Sequence, residues 1–231
     1  MFDMEPGKRP NEPPTTALVV DGGPVAPQAW PAHLAAEQAG GRLVVIAADS
    51  GAQHALAHDL SVDVVVGDMD SIDVDSLAII EASGAIVDRY PADKDRSDLE
   101  LALDYAVDLQ VATILVVSSG AGRLDHAVIG LMLLGRPDLH DLDVTAYVDT
   151  MIVVPIGPGR TRMLPCVTNG IVSLIPWGGS AIVSTTDLKW NLNHGTLSPD
   201  TALGLSNVAT GPDVFVTSHV GTVLACVQAE N

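Results

Sequence analysis

Four short apolar runs that do not alternate with polar residues constrain the fold of this chain more than any other feature. They are ALVV (17–20), RLVVIAAD (42–49), DVVVGD (63–68) and ATILVVSS (112–119). A strand with one face in water alternates apolar and polar residues, whereas a strand covered on both faces by helices is apolar throughout. Because helix-like segments separate the runs, their order predicts an α/β fold with a doubly wound, mostly parallel sheet.

The clearest predicted helix is SDLELALDYAVDL (97–109). Ser97 followed three residues later by Glu100 is the capping-box pattern of a helix start. Apolar residues then recur at i, i+3, i+4 and i+7, the spacing of one helical face. These residues are Leu99, Ala102, Leu103 and Ala106.

The composition changes after about residue 148, where Gly, Pro and Thr become frequent. Short apolar runs separated by turn residues follow, at 170–176, 180–186 and 214–218, and this pattern is typical of an all-β domain. We therefore predict an α/β domain over 17–148 and a C-terminal β-sandwich domain over 149–231. The Pro-rich segment 1–16 is predicted to be a disordered tail.

Net charge limits the partners that this chain can bind. It has 11 basic and 29 acidic residues, a formal charge of −18, which repels polyanions and argues against nucleic acid as the partner. A small anion would need a divalent metal and a few well-placed cationic side chains. The two cysteines, Cys166 and Cys226, are far apart, and no apolar run is long enough to span a membrane. A cytoplasmic protein that does not enter the membrane is expected.

Carboxylates follow the predicted strands at the edge where open α/β sheets bind ligands. Asp49 ends the second run, and GDMDS (67–71) follows the third. Asp68 and Asp70 can reach one cation only if this turn is irregular, because alternate strand residues point to opposite faces. Mg²⁺ is the natural candidate, since it binds through one or two carboxylates and completes its shell with phosphate and water. An ordinary hydrogen-bonded turn is the alternative.

The segment PADKDRSD (91–98) combines cations with a helix N-terminus. Free N–H groups there favour anions, and Lys94 and Arg96 add positive charge for phosphate. Simple capping by Ser97, with Asp98 as a carboxylate in the first helical turn, is the alternative.

Three further segments contain side chains suited to ligand binding. In GAGRLDHA (120–127) the glycines allow close approach to a phosphate, and Arg123 can bind its oxygens with two N–H groups. His54 and His58 have a zinc-like spacing, but without the Glu and third ligand they are better read as ordinary surface or core residues. Trp190, between Lys189 and Asn191, is either a stacking surface for a cationic heteroaromatic ring or part of the core.

Taken together and in order, these segments resemble the thiamine pyrophosphokinase family. LKWNL (188–192) is the most diagnostic part of the resemblance. The matching segments are AADSGA (47–52), GDMDS (67–71), YPADKDRSDLELAL (90–103), GAGRLDH (120–126), TTDLKWNL (185–192) and GLSN (204–207).

The resemblance implies an enzyme that moves the β,γ-pyrophosphoryl group of ATP to the hydroxyl of thiamine, giving thiamine diphosphate and AMP. The α/β domain would hold ATP and Mg²⁺, and thiamine would bind between the subunits of a homodimer. Two alternatives stay open: a pyrophosphokinase acting on a different alcohol, and a non-catalytic sensor of thiamine or nucleotide.

The resemblance also implies roles for individual residues. The metal ligands would be Asp68, Asp70 and Asp98, which with Arg123 and Asp125 form the catalytic set. ATP would be contacted by Asp49, Lys94, Arg96, Ser97, Arg123 and His126. Thiamine would be contacted by Trp190, Ser206 and Asn207.

The general base and one strand end are less well defined. Either Asp98 or Asp125 could take the proton of the acceptor hydroxyl. The chain also departs from the family pattern at three places: Ala121 replaces a common Gly, Ser97 a common Thr, and Asp21 a usual Asn. The first two changes are chemically mild, whereas the third leaves the role of Asp21 undefined.

Overall fold

The computed structural model describes residues 14–229. The chain folds into two compact units. Among the described residues, the first comprises 14–22 together with Pro31–Ile114, and the second comprises Gly23–Trp30 together with 115–229. The predicted boundary between 148 and 149 stays a prediction. Most of the predicted tail, residues 1–13, lies outside the described residues, whereas Thr16 is already the first residue of a strand.

The first unit contains a parallel sheet of four strands in the order β1-β2-β3-β4. Three of these strands match the predicted apolar runs, and most of their residues are buried. The fourth was not predicted, because its sequence IVDR is half polar and only partly buried. The strands are β1 (Thr16–Val20), β2 (Leu43–Ala48), β3 (Val64–Gly67) and β4 (Ile86–Arg89).

Four helices connect and cover these strands. The fourth helix contacts β1, β2 and β3, and its buried side chains include Leu99, Ala102, Leu103 and Ala106, the predicted apolar face. The helices are α1 (Leu34–Ala39), α2 (Gly51–Ala57), α3 (Val74–Ala82) and α4 (Asp98–Asp108).

At the start of α4, the predicted cap by Ser97 is present. Ser97 is the N-cap, and its Oγ accepts a hydrogen bond of 3.2 Å from the backbone N–H of Glu100. The Glu100 carboxylate accepts from Arg96 Nε at 3.3 Å. Because the cap fixes where the helix begins, it also fixes the position of Asp98, the first helical residue.

The second unit is mostly β-structure. Its strands follow the order β10-β9-β12-β7-β6-β5, with β11 paired to β9 and β8 paired to β12. A helix, α5 (Leu124–Leu134), and a 3₁₀ turn at Pro137–Leu139 lie between β5 and β6 in the chain. The strands are β5 (Thr113–Ser118), β6 (Asp143–Val148), β7 (Met151–Ile156), β8 (Thr161–Met163), β9 (Ile171–Thr185), β10 (Gly195–Leu197), β11 (Asn207–Val208) and β12 (Phe215–Gln228).

The two long strands β9 and β12 bend, so that both halves of each strand contribute to one apolar core. The register of β12 against β9 shifts between Ser218 and Val220 and again between Val220 and Thr222, and such bulges bend a strand. Val172 from the first half of β9 and Val183 from its second half consequently lie in one buried apolar cluster. An α/β part followed by a part built mainly of β-strands confirms the predicted fold class.

Among the described residues, the search for helices long and apolar enough to cross a membrane finds none.

Candidate active site

Three carboxylates gather at the carboxyl ends of two neighbouring parallel strands. Asp49 directly follows β2, while Asp68 and Asp70 follow β3. One carboxylate oxygen from each of the three lies within 4.8 Å of the others. Such a group of oxygen ligands suits a hard divalent cation.

The backbone at Met69 allows Asp68 and Asp70 to face the same point. Met69 has φ = 65°, the left-handed region, so the alternation of a regular strand is broken between the two aspartates. Its side chain is 7% exposed, and this burial anchors a conformation that costs free energy for a non-glycine residue. The turn is completed by hydrogen bonds from the Asp70 N–H to Asp68 Oδ1 at 3.2 Å and from Ser71 Oγ to Asp70 Oδ1 at 2.8 Å.

Gly67 brings a fourth carboxylate, that of Asp98, into contact with the end of β3. Gly67 has φ = 146°, and a Cβ built there would lie 3.1 Å from Asp49 Cβ and 3.2 Å from Asp98 Oδ1. Only a residue without a side chain permits this close approach. The acidic cluster, defined here as Asp49, Asp68, Asp70 and Asp98, therefore depends on glycine at the strand end.

Asp49 is the most buried member of the acidic cluster. It is 8% exposed, and its Oδ1 has no hydrogen-bond partner among the described residues. Burial is the main cause that raises the pKa of Asp49, and repulsion by the carboxylates of Asp98, Asp68 and Asp70 adds to it, against a hydrogen bond from Ser71. A buried carboxylate oxygen that faces other carboxylates and lacks a donor fits a metal cation.

Lys94 and Arg96, both predicted to face phosphates, are paired with carboxylates. Lys94 Nζ lies 2.9 Å from Asp98 Oδ1, so its charge lies at the edge of the acidic cluster. Arg96, which precedes the N-cap of α4, forms ion pairs with Glu100 and Asp104 of that helix. Contact of these two cations with ATP stays a prediction.

In the second unit, Arg123 and Asp125 form an exposed pair at the start of α5. Arg123 donates from Nε and from an η nitrogen to the two carboxylate oxygens of Asp125, at 3.1 Å and 2.6 Å. This hydrogen bonding is the main cause that lowers the pKa of Asp125 to about 2. The backbone N–H of His126 donates to the same carboxylate at 3.1 Å.

Trp190 presents its indole ring to solvent. The residue is 57% exposed, so packing in the core, the alternative considered from the sequence, is excluded. Lys189 Nζ lies 4.6 Å from the centroid of the ring, a cation–π contact. The exposed ring is available for stacking, as the other interpretation requires.

The side chain of Asn207 forms hydrogen bonds with both the N–H and the carbonyl of Trp190. Its Nδ2 donates to the Trp190 carbonyl at 2.8 Å, and its Oδ1 accepts from the Trp190 N–H at 3.2 Å and from the Val208 N–H at 2.9 Å. Asn207 is 7% exposed. The neighbouring Ser206 has φ = 56° and donates its N–H to Ser173 Oγ at 3.1 Å. These bonds hold Asn207 against Trp190 and Ser206 against the first half of β9.

Two residues with supporting roles were not among the predicted site residues. Ser71 contacts the acidic cluster, and Asn191 Oδ1 accepts from the Leu188 N–H at 3.1 Å and from Thr185 Oγ1 at 3.3 Å, which closes the loop before Trp190. Both lie inside motifs already recognised in the sequence, and turn chemistry is the signal that identifies them. The zinc-like pair His54 and His58 is absent from the group of potential metal ligands found among the described residues.

Comparisons with known proteins give the same family for both parts of the chain. Residues 39–146 match the family model "Thiamin pyrophosphokinase, catalytic domain". Residues 164–223 match the model "Thiamin pyrophosphokinase, vitamin B1 binding domain". Together the two matches cover well over half of the chain.

Two curated relatives are named as thiamine pyrophosphokinases. A thiamine pyrophosphokinase of Bacillus subtilis (strain 168) is 28% identical over 142 residues, which cover 61% of this chain and 66% of that protein. Thiamine pyrophosphokinase 1 of Oryza sativa subsp. japonica is 25% identical over 166 residues, covering 68% of this chain and 62% of that protein. The chain thus spans slightly less than two thirds of the length of the relatives it matches.

Solved structures share the fold. The crystal structure of thiamine pyrophosphokinase from Bacillus subtilis superposes with a TM-score of 0.78 at 22% identity, covering 94% of this chain and 100% of that one. Thiamin pyrophosphokinase from Candida albicans gives a TM-score of 0.76 at 16% identity, covering 94% and 90%. At these identities the superpositions establish the architecture alone.

Proposed function

Because the chain belongs to the thiamine pyrophosphokinase family, we propose that it transfers the β,γ-pyrophosphoryl group of ATP to the hydroxyl oxygen of thiamine, releasing AMP. The observation that carries this proposal is the acidic cluster beside the GDMDS turn, within the segment that matches the catalytic-domain model. The segment that matches the vitamin B1 binding model contains Trp190 and Asn207.

We propose that Asp68, Asp70 and Asp98 hold Mg²⁺, with Asp49 supporting them. Carboxylate oxygens of Asp49, Asp68 and Asp70 lie within 4.8 Å of one another, and Asp98 Oδ1 lies beside them at Gly67. The Asp49 Oδ1, which has no hydrogen-bond partner among the described residues, fits a cation. Bound Mg²⁺ would neutralise negative charge on the phosphate oxygens. The side chains of this unit would bind and orient the triphosphate, with Lys94 adding positive charge and the Ser97 cap fixing the position of Asp98.

For the acceptor proton, Asp98 and Asp125 both stay candidates, since each has a cationic partner: Lys94 for Asp98 and Arg123 for Asp125. A carboxylate whose pKa is held at about 2 by Arg123 is a weak proton acceptor near neutral pH. We therefore propose that Arg123 and Asp125 act together to bind substrate, with His126 beside them.

For thiamine, we propose stacking on the Trp190 ring, with Ser206 and Asn207 in the same site. The 57% exposure of Trp190 supports a ring that is free to stack.

We further propose a cytoplasmic homodimer whose subunits share the thiamine site. Support for an interface between subunits comes from α5, where four large apolar side chains are between 43% and 79% exposed. These are Leu124, Val128, Ile129 and Met132.

The metal assignment is tested by Asp70→Ala. We expect AMP release from ATP and thiamine to fall by at least about 10³-fold, because one carboxylate ligand of the metal is lost, while the unfolding transition is retained. Asp108→Ala, an exposed aspartate at the opposite end of α4, is the matched control and keeps wild-type turnover. Near-normal activity of Asp70→Ala at saturating Mg²⁺ would exclude the assignment.

The two rival functions are separated by product analysis. In a panel of alcohols, failure of thiamine together with turnover of another alcohol identifies a different pyrophosphokinase. Calorimetric binding of thiamine without any AMP formed identifies a sensor.

A further inference from the structure

Lys94 is the cation that the structure pairs with the acidic cluster. Its Nζ lies 2.9 Å from Asp98 Oδ1, and the two side chains are 14% and 29% exposed. This pair is more buried than the exposed pairs of the same unit, such as Arg42 with Glu37 at 54% and 39%. Its charges are therefore less screened by solvent.

The position of Lys94 has an electrostatic consequence for the other carboxylates. Asp98 and Asp49 lie side by side, because a Cβ built on Gly67 would be 3.2 Å from Asp98 Oδ1 and 3.1 Å from Asp49 Cβ. The Asp49 Oδ1 has no hydrogen-bond partner among the described residues. A cation on Asp98 lowers the negative potential of the whole cluster. A divalent cation that binds these carboxylates must therefore compete with the Lys94 ammonium.

We propose that Lys94 is an internal counter-ion of the acidic cluster: it neutralises Asp98, is displaced when a divalent metal binds, and is then available for the phosphates of a nucleotide. This inference rests on the proposed function for the identity of the nucleotide. Metal binding and nucleotide binding are then coupled through one side chain, because each favours Lys94 away from Asp98.

The first test measures metal affinity without any substrate. In calorimetric titrations with Mg²⁺ alone, Lys94→Met is expected to bind the metal at least about tenfold more tightly than the wild type, because the competing charge is gone. Lys94→Arg keeps the positive charge and is therefore expected to bind Mg²⁺ about as weakly as the wild type does. Arg42→Met removes one positive charge from an exposed pair at the amino end of β2, and it is expected to leave the affinity within about twofold of the wild type.

The second test follows Lys94 in the unaltered protein. The chain has three lysines, Lys8, Lys94 and Lys189, so their Cε–Hε resonances can be assigned by NMR with one substitution each. Mg²⁺ is expected to shift the Lys94 resonance in step with saturation of the metal site and to leave the other two unchanged. At saturating Mg²⁺, an unreactive ATP analogue is expected to bind Lys94→Met about tenfold more weakly than wild type.

Three results would overturn the inference: equal or weaker Mg²⁺ binding by Lys94→Met, an unmoved Lys94 resonance at metal saturation, or undiminished binding of the ATP analogue. The NMR titration keeps the question decidable even if Lys94→Met fails to fold. Failure of the proposed function looks different, because it leaves wild type without AMP formation, whereas the Mg²⁺ titrations need no turnover.

Discussion

Both ends of the Asn207 side-chain amide are bonded to the Trp190 backbone. A buried amide that already has these partners has little capacity left for a substrate. The resemblance assigns Asn207 a direct contact with thiamine, whereas its hydrogen bonds are those of a residue that positions Trp190.

This distinction gives a prediction at the level of the residue. In Asn207→Asp the Nδ2 donor to the Trp190 carbonyl is lost and a carboxylate oxygen faces that carbonyl. We expect the KM for thiamine to rise about tenfold or more, because losing one partner of a buried hydrogen bond costs about 1–3 kcal/mol. The KM for ATP is expected to stay within about twofold of wild type.

Fluorescence separates positioning from direct contact. The chain has three tryptophans, and the Trp190 signal is the difference between proteins with and without Trp190→Phe. Positioning predicts that Asn207→Asp changes this signal before any thiamine is added, and that Asn193→Ala, in the same loop, does not. An unchanged Trp190 signal combined with weakened thiamine binding would instead establish direct contact.

At the level of the element, α4 connects a local sequence signal to the site. Ser97 caps the helix with a 3.2 Å bond to the Glu100 N–H, and the next residue is Asp98. The same four-residue pattern therefore determines both the start of the helix and the position of a proposed metal ligand.

We predict that Ser97→Ala lowers the free energy of unfolding by about 1 kcal/mol, the usual loss for an N-cap hydroxyl, as measured by urea denaturation. Mg²⁺ affinity is expected to fall with it, because the first turn of α4 frays and Asp98 is less well positioned. Ser97→Thr keeps the hydroxyl and serves as the control. Loss of stability without any change in Mg²⁺ affinity would show that the cap does not position Asp98.

At the level of the whole molecule, charge and apolar surface have opposite effects on self-association. A net charge of −18 opposes association of two copies, and it does so less as salt screens it. Helix α5 favours association, since no charged residue occurs between Asp125 and Arg136 and apolar side chains on it are exposed. Large exposed apolar surfaces are rare on monomeric proteins and often mark interaction sites.

The proposed homodimer therefore gives a prediction about mass. Sedimentation velocity at micromolar concentration is expected to show a species of twice the chain mass, which Val128→Glu combined with Met132→Glu shifts towards monomer. Ile79→Glu is the control, because Ile79 lies on α3 and is 58% exposed. It tests whether a new charge on any exposed apolar residue shifts the protein towards monomer. A monomeric wild type across salt concentrations would contradict the proposal.

The sequence by itself determined the features that depend on neighbouring residues. Continuous apolar runs identified β1, β2, β3 and β5 because burial on both faces excludes polar residues from a strand. The Ser97 cap and the apolar face of α4 were likewise readable, since helix periodicity and capping act within a few residues. The strand β4 was missed because IVDR, partly buried, lacks that signal.

Tertiary structure alone decided how the side chains of the site are used. Whether Asp68 and Asp70 face one point depended on the left-handed φ of Met69, which its buried surroundings maintain. The bond between Asn207 and Trp190 joins residues 17 positions apart. Such contacts follow from the packing of separate strands and turns, so residue spacing identified the aspartates and the tryptophan but could not show which atoms hold them in place.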